Sequence, residues 1–380
     1  MPQDDPIYLD FNATTPVADA VVEAMLPYLR THFGNPSSGH VYGRRARLAV
    51  ETARAQVAAL IGAEPEEILF TGSGTEANNL LILGLADRLS PGPVACSTIE
   101  HPAVLKPLQA LGRRTWTVTL LPVDQGGRVE LDGVADRLVP GIRLVSVMHS
   151  NNEVGTLQPV GALARLAHAK GAVMHSDAAQ SIGKVPVDVG ELEVDALTIV
   201  GHKFYAPKGI GALYVRKGTP LSPILFGGGQ ERGLRPGTEN VALIVALGAA
   251  AVLAQERLAA DQAHLQQLRD RLAAALHQGV PGLLRNGDAD QALPHCLNVS
   301  FPGVRGSAVL AVAGGIAAST GSACHEGGET PSEVLLAMGC EPIRALGAVR
   351  LSVGRPTTTA LVDQAAAQLI AAWRQLAGRQ

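Results

Sequence analysis

Short apolar runs alternate with longer stretches of helical spacing through the first two thirds of the chain. "EILF", "PVACST", "TVTLLPV", "IRLVSVM", "AVMHSD", "ALTIV" and "GALYVR" read as strands, several of them hydrophobic almost without interruption. A strand with one wet face alternates, whereas a strand buried on both faces of a mostly parallel sheet has no need to. Between these runs, "NNLLILGLADRL" and "VGALARLAHAKG" set apolar residues at helical intervals, and the second stops at Gly171 as a helix should. The pattern predicts an α/β layer architecture.

The texture changes after about Asn240. Val241 to His277 is rich in Ala, Leu and Gln and reads as one or two helices that could link domains. Then come "CLNVSFPG", which alternates like an antiparallel strand, "VRLSVG" as a further strand, and a closing helix "ALVDQAAAQLIAAWRQLAG". At 380 residues the chain exceeds the ~250–300 at which single cores stop growing. We therefore expect a large domain over 15–255 with a mostly parallel sheet. A smaller α/β C-terminal domain would combine 1–14 with 256–380 and carry a loop at 319–331.

Charge narrows the partners. Thirty-one basic and 34 acidic residues give a net charge of -3 with no long run of either sign. Neither a nucleic-acid stripe nor a polybasic membrane anchor is present, which leaves small molecules and other proteins. The opening "MPQDDPIYLD" has no apolar signal region, and no segment gives ~18 uninterrupted apolar residues; a soluble, cytoplasmic protein is expected. Cys96, Cys296, Cys324 and Cys340 are widely spaced, without a CxxC pair or a metal-ligand cluster, so reduced thiols and no metal are expected. Cys96, inside "PVACSTI", reads as a small buried hydrophobe; Cys296 and Cys340 stay open.

Candidate chemistry gathers at strand ends. "ILFTGSGTEANNLLILGLA" runs strand, glycine turn, helix, so Gly72, Ser73, Gly74 and Thr75 offer backbone N–H groups and hydroxyls at a helix N-terminus. That is an anion cradle, or equally an ordinary capped turn. Asp177 and Gln180 in "MHSDAAQSIG" follow a strand, where open α/β sheets bind ligands, although an aspartate there also caps helices. Lys203, in "GHKFYAPKG", follows another strand; a lysine at such an edge ordinarily reaches to water. Together these three supply the groups that pyridoxal 5'-phosphate needs: an amine for covalent attachment, an acid beside the pyridinium nitrogen, and a phosphate cradle.

Cys324 sits in "STGSACHEGGETP", a run of small and polar residues with little to bury, as expected of an exposed loop. A thiol so placed is either idle or the group the protein works with.

"YLDFNATTPV", "GNPSSGHVYGR", "FTGSGTEANNL", "EHPAVL", "SNNEVGTLQPV", "HSDAAQSIGK", "GHKFYAPKGIGALYVR", "GGGQERGLRPGTEN", "GSACHEG" and "VRLSVGRPTT" resemble, in order and spacing across nearly the whole chain, the cysteine desulfurases of the NifS/IscS type in the class V aminotransferase family, and the closely similar selenocysteine lyases. The resemblance implies the PLP-dependent transferase fold of type I. It also implies an enzyme that converts L-cysteine to L-alanine and passes the sulfur, as a persulfide on Cys324, to an acceptor. Lys203 then looks like the cofactor-bearing lysine, His101 like the imidazole over the cofactor ring, and Asp177 like the pyridinium partner. Asn152 and Gln180 match groups near the ring hydroxyl, and Gly74, Thr75 and His202 those at the phosphate. Thr238 matches a phosphate ligand contributed by the other subunit of a homodimer. Asn152 and Arg350 match the substrate-binding groups, Arg350 as clamp for the carboxylate. Cys324 resembles the nucleophile, and His325 or His101 could raise its thiolate fraction.

Two positions depart from the family pattern. Val200 stands where a serine or threonine commonly binds the phosphate, and Ala206 stands where glycine is usual, which would restrict the backbone if that site needed a positive φ. The alternatives are a selenocysteine lyase, toward which "VGHKFY" and the histidine after the cysteine lean, an aminotransferase of the same fold, or a non-catalytic binding module. Acceptors that the resemblance suggests are an iron–sulfur scaffold, as in iron–sulfur cluster assembly, a sulfur carrier for tRNA thiolation, or a DNA-modifying system.

Overall fold

A computed structural model of the chain describes residues 5–320 and 330–378. Its centre is a seven-stranded sheet in the order Ile68–Thr71, Gly211–Val215, Ala196–Val200, Val173–Asp177, Leu144–Ser146, Pro93–Ser97, Thr117–Leu121. Gly211–Val215 runs antiparallel to both neighbours and every other pairing is parallel. The seven apolar runs of the sequence are these seven strands. Ile68–Thr71 and Ala196–Val200 are buried at every residue, because helices cover both faces, whereas the edge strand Thr117–Leu121 is largely open.

The helix at "NNLLILGLADRL" begins earlier than the apolar spacing suggests. It spans Gly74–Arg88, with Ser73 as its N-cap accepting from the Glu76 N–H at 3.1 Å, so the glycine turn supplies the helix's own first turn. Asp19–Arg30 and Val41–Leu60 are also helices. The latter buries Ala46, Ala49, Val50, Ala53 and Val57, an i, i+3, i+4 stripe made mostly of alanine. Both pack on the long helix Val241–Gly279.

That segment is one continuous helix serving two cores. Ile244, Leu247, Ala250 and Ala254 lie in the core of the large sheet, and Leu265, Leu268, Leu272 and Leu276 in a second core. By length and apolarity it could cross a bilayer, but these residues are packed against protein. The second core is built on an antiparallel sheet, Ala348–Ser352 beside Cys296–Ser300 beside Leu284–Asn286, covered by Gly306–Ala313 and Thr359–Ala377. The N-terminal strand Ile7–Tyr8 pairs with Ile316–Ala317, and Ile7 and Leu9 are buried in this core.

Ala206 is not strained. The positive φ in this turn belongs to Tyr205, at 71°, and Ala206 packs its methyl in the core. The backbone restriction that Ala206 could have imposed does not arise.

Candidate active site

A cleft of about 360 Å³ opens at the carboxyl ends of Val173–Asp177 and Ala196–Val200, where open α/β sheets bind ligands. Gly74, Thr75, His101, Asn152, Asp177, Gln180, His202, Lys203 and Arg350 all line it. Thr238 does not; it is exposed, two residues before the helix N-cap Asn240. Cys324 and His325 lie outside the described residues.

Lys203 closes a short 3-10 turn that begins where the strand Ala196–Val200 ends. Its Nζ donates to the carbonyls of Asn12 at 2.6 Å and Ala13 at 2.8 Å. Burial, helped by the nearby Arg350 charge and opposed by Asp10 and Asp177, brings its pKa down to about 8. A lysine so tuned is a usable nucleophile and base near neutral pH. His202 beside it is pushed down to about 4 by burial and by Lys203, Lys208 and Lys184, so its ring is neutral.

Asp177 ends its strand almost fully buried. Oδ2 accepts from Asn78 Nδ2 at 2.8 Å and Oδ1 from the Ala179 N–H at 3.0 Å. His101 is the N-cap of Pro102–Gly112, and its Nδ1 accepts from the Ala103 N–H at 3.0 Å. The neutral ring therefore carries its proton on Nε2. Its surface is open to solvent, yet crowding by protein lowers its pKa, with Lys203 adding to that effect and Asp177 opposing it. Gln180 is tied down, donating to the Asn12 carbonyl at 3.0 Å and accepting from Lys184 Nζ at 3.4 Å.

Arg350, in the strand Ala348–Ser352, is 7% exposed. It donates through Nη1 to the Asn152 carbonyl at 2.9 Å and through Nη2 to Asp10 Oδ1 at 2.7 Å. Its buried Nε has no partner among the described residues. An unpaired guanidinium N–H is costly unless a ligand meets it, and a carboxylate is the ligand that suits it.

Sequence reasoning singled out neither Asn12 nor Asn78. Asn12 is fully buried; besides receiving Lys203 and Gln180 at its carbonyl, it donates through Nδ2 to the Asn152 carbonyl at 3.0 Å and to Cys296 Sγ at 3.2 Å. The signal for it is the run "NATT", which begins four residues after the strand Ile7–Tyr8.

These residues fit pyridoxal 5'-phosphate. A helix N-terminus opens on the cleft at Gly74 and Thr75, with a primary amine and a buried carboxylate in the same cleft. Val200 gives the cleft an apolar wall beside Gly74. A Cβ on residue 74 would come within 2.3 Å of Val200 Cγ2, so the close approach of helix and wall requires glycine there.

Fold and cleft together define a pyridoxal 5'-phosphate-dependent α/β enzyme of fold type I. The sequence matches the family described as Aminotransferase class-V over residues 7–364. It is 44% identical to the cysteine desulfurase NifS of Azotobacter vinelandii, over 94% of this chain and 90% of that protein. Among solved structures, a NifS-like protein is 38% identical with a TM-score of 0.90, covering 98% of this chain and 99% of its own. SspA in complex with cysteine is 36% identical with a TM-score of 0.82, covering 92% and 99%. The chain belongs to the class-V aminotransferases and, within them, to the cysteine desulfurases of the NifS/IscS type.

Proposed function

We propose that this protein converts L-cysteine to L-alanine and transfers the sulfur, as a persulfide on Cys324, to an acceptor protein. The observation that carries the reading is the presence in one cleft of Lys203, with its pKa lowered to about 8, and of Arg350, whose buried Nε has no partner among the described residues. A base and a carboxylate receptor are the two things an α-amino acid substrate needs from the protein.

Lys203 would hold the cofactor, the helix N-terminus at Gly74 and Thr75 with His202 would hold its phosphate, and Asp177 would meet its ring nitrogen. Asn152 and Gln180 would flank the ring hydroxyl, and His101 would lie over the ring. When bound, the cofactor supplies an electron sink for the pair left on the substrate Cα. Arg350 fixes the substrate carboxylate through Nε, while Asp10 and the Asn152 carbonyl hold the guanidinium in place. Lys203 Nζ takes the Cα proton and later returns it. The Cys324 thiolate attacks the substrate sulfur; the C–S bond breaks with its pair returning to carbon. Proton uptake there completes alanine and leaves Cys324 as a persulfide.

Both ends of the segment bearing Cys324 are anchored beside the cleft. Ser319 pairs through its backbone with Arg350, and Ser332 donates to Glu153 Oε2 at 2.5 Å, next to Asn152.

The enzyme acts as a soluble, cytoplasmic homodimer in which Thr238 reaches the partner's cofactor phosphate. Phe226, 91% exposed on the stretch leading to Thr238, and Phe33, 74% exposed, support an apolar subunit contact. An iron–sulfur scaffold or a sulfur carrier fits as acceptor.

The test is alanine production by the cofactor-loaded protein from L-cysteine and from L-selenocysteine, for wild type and Cys324→Ala. Cysteine turnover that disappears with the substitution is expected. Turnover of selenocysteine alone, undiminished in the variant, would make the protein a selenocysteine lyase.

A further inference from the structure

Behind Asp177 a chain of hydrogen bonds runs sideways through the sheet. Asn78 Nδ2 meets Asp177 Oδ2 at 2.8 Å, and Thr198 Oγ1 meets Asn78 Oδ1 at 2.6 Å. His175 Nε2 lies 3.2 Å from Thr198 Oγ1, and Ser146 Oγ lies 2.8 Å from His175 Nδ1. Ser146, His175 and Thr198 are 0% exposed and Asn78 is 1% exposed, so water does not stand in for any link. Strand register explains the alignment: Ser146 sits opposite His175, and Asp177 opposite Thr198. His175 and Asp177, two apart on one strand, share a face.

The chemistry of the links gives the chain a direction. Asn78 turns its NH2 to Asp177 and its carbonyl to Thr198. The single Thr198 proton is then committed to Asn78, and Thr198 must accept from His175. His175 therefore carries its proton on Nε2, which leaves Nδ1 to accept from the Ser146 hydroxyl. Every proton in the row points toward Asp177. Burial pushes the His175 pKa down to about 4, so the row carries no charge of its own.

We propose that His175 is a positioning residue. With Thr198 and Asn78 it forms a neutral, one-way donor chain that keeps Asp177 ionised and aimed at the cofactor ring nitrogen. The proposal rests on Asp177 being the partner of that nitrogen. In a site as dry as this, an Asp–pyridinium pair tends to neutralise by passing its proton to the carboxylate. Two charge-assisted donors, Asn78 and the Ala179 N–H, oppose that transfer, and the polarised row behind Asn78 strengthens the first of them.

The experiment is 15N NMR of the holoenzyme, carrying cofactor labelled at the ring nitrogen, for wild type, Thr198→Ser, Thr198→Val and Asp177→Asn at near-neutral pH. The ring-nitrogen signal is expected at the protonated position in wild type and in Thr198→Ser, which keeps the hydroxyl. In Thr198→Val it moves part of the way toward unprotonated pyridine, and in Asp177→Asn it moves fully. The His175 imidazole, labelled in the wild type, is expected as the Nε2–H tautomer. An Nδ1–H tautomer overturns the proposal without recourse to any variant, so the result stands even if Thr198→Val does not fold. A Thr198→Val signal equal to wild type, with Asp177→Asn shifted, overturns the chain alone and spares the role of Asp177. An unshifted Asp177→Asn signal removes Asp177 from the ring nitrogen, and the proposal goes with it.

Discussion

Arg350 and Ser319 are joined by backbone hydrogen bonds in both directions: the Arg350 N–H donates to the Ser319 carbonyl at 2.7 Å, and the Ser319 N–H donates to the Arg350 carbonyl at 3.4 Å. The same residue that turns its guanidinium into the cleft thus anchors the chain leading to Cys324.

Arg350→Lys keeps the charge but loses the planar Nε–H and the two Nη contacts. Because charge-assisted hydrogen bonds contribute about 1.5–3 kcal/mol, KM for L-cysteine should rise about 10- to 100-fold, with a smaller change in kcat. Asp10→Asn, which weakens the hold on Nη2, should move KM in the same direction by less. Steady-state alanine formation measures both, and unchanged KM values in both variants would remove Arg350 from the carboxylate site.

Lys203 should be chemically active well below the range of an exposed lysine. With its pKa at about 8, the amine of the cofactor-free protein is mostly neutral above that pH. The rate at which added pyridoxal 5'-phosphate is captured, followed by absorbance, should climb to about pH 8 and level off above it. A rate still climbing near pH 10, as for an ordinary lysine at ~10.4, would contradict the environment described for it.

Glu100 is buried, its Oε1 accepting from the Ser97 hydroxyl and the Met148 N–H and its Oε2 without a partner among the described residues. Burial, with Asp177 adding, raises its pKa from 4.5 to about 8. Between those values the folded state holds a proton that the unfolded state has lost, so stability from this group falls as pH rises through that window. Thermal melts should show wild type losing ground to Glu100→Gln, on the order of 1 kcal/mol or more, from about pH 5 to about pH 8. Parallel curves would mean that Glu100 stays ionised.

Gly74→Ala would force a methyl to within 2.3 Å of Val200 Cγ2. Overpacking of this kind costs about 1–3 kcal/mol, and here it also displaces the helix N-terminus that opens on the cleft. Melting temperature and cofactor retention should both fall, and Val200→Ala should restore them in the double variant. Equal losses in single and double variants would show that the two residues do not press on each other.

Much of this molecule is readable from its sequence because burial on both faces leaves strands such as "ALTIV" nearly free of polar residues. Lys203, Asp177 and Gly74 stand out because each lies at or just past the end of a strand, and the cleft brings them together. Asn12 did not stand out, since its role depends on a contact made across the length of the chain: its N–H donates to Ser352 Oγ at 2.9 Å, which carries the N-terminal segment across the cleft floor to Lys203. Asn78 was hidden for a different reason. It reads as one more polar position in an apolar helix, and only the packing of that helix on the sheet shows that it faces Asp177. Val41–Leu60 escaped notice because its buried stripe is mostly alanine, which hydrophobic patterning weighs lightly.

The central claim is that sulfur leaves cysteine by way of Cys324. Mass spectrometry of the cofactor-loaded protein, after brief exposure to L-cysteine and alkylation, tests it most directly. The account predicts one added sulfur on the peptide bearing Cys324, formed together with one alanine and absent from Cys324→Ser. Alanine formed at the wild-type rate by Cys324→Ser, with no sulfur on that peptide in the wild type, would contradict it.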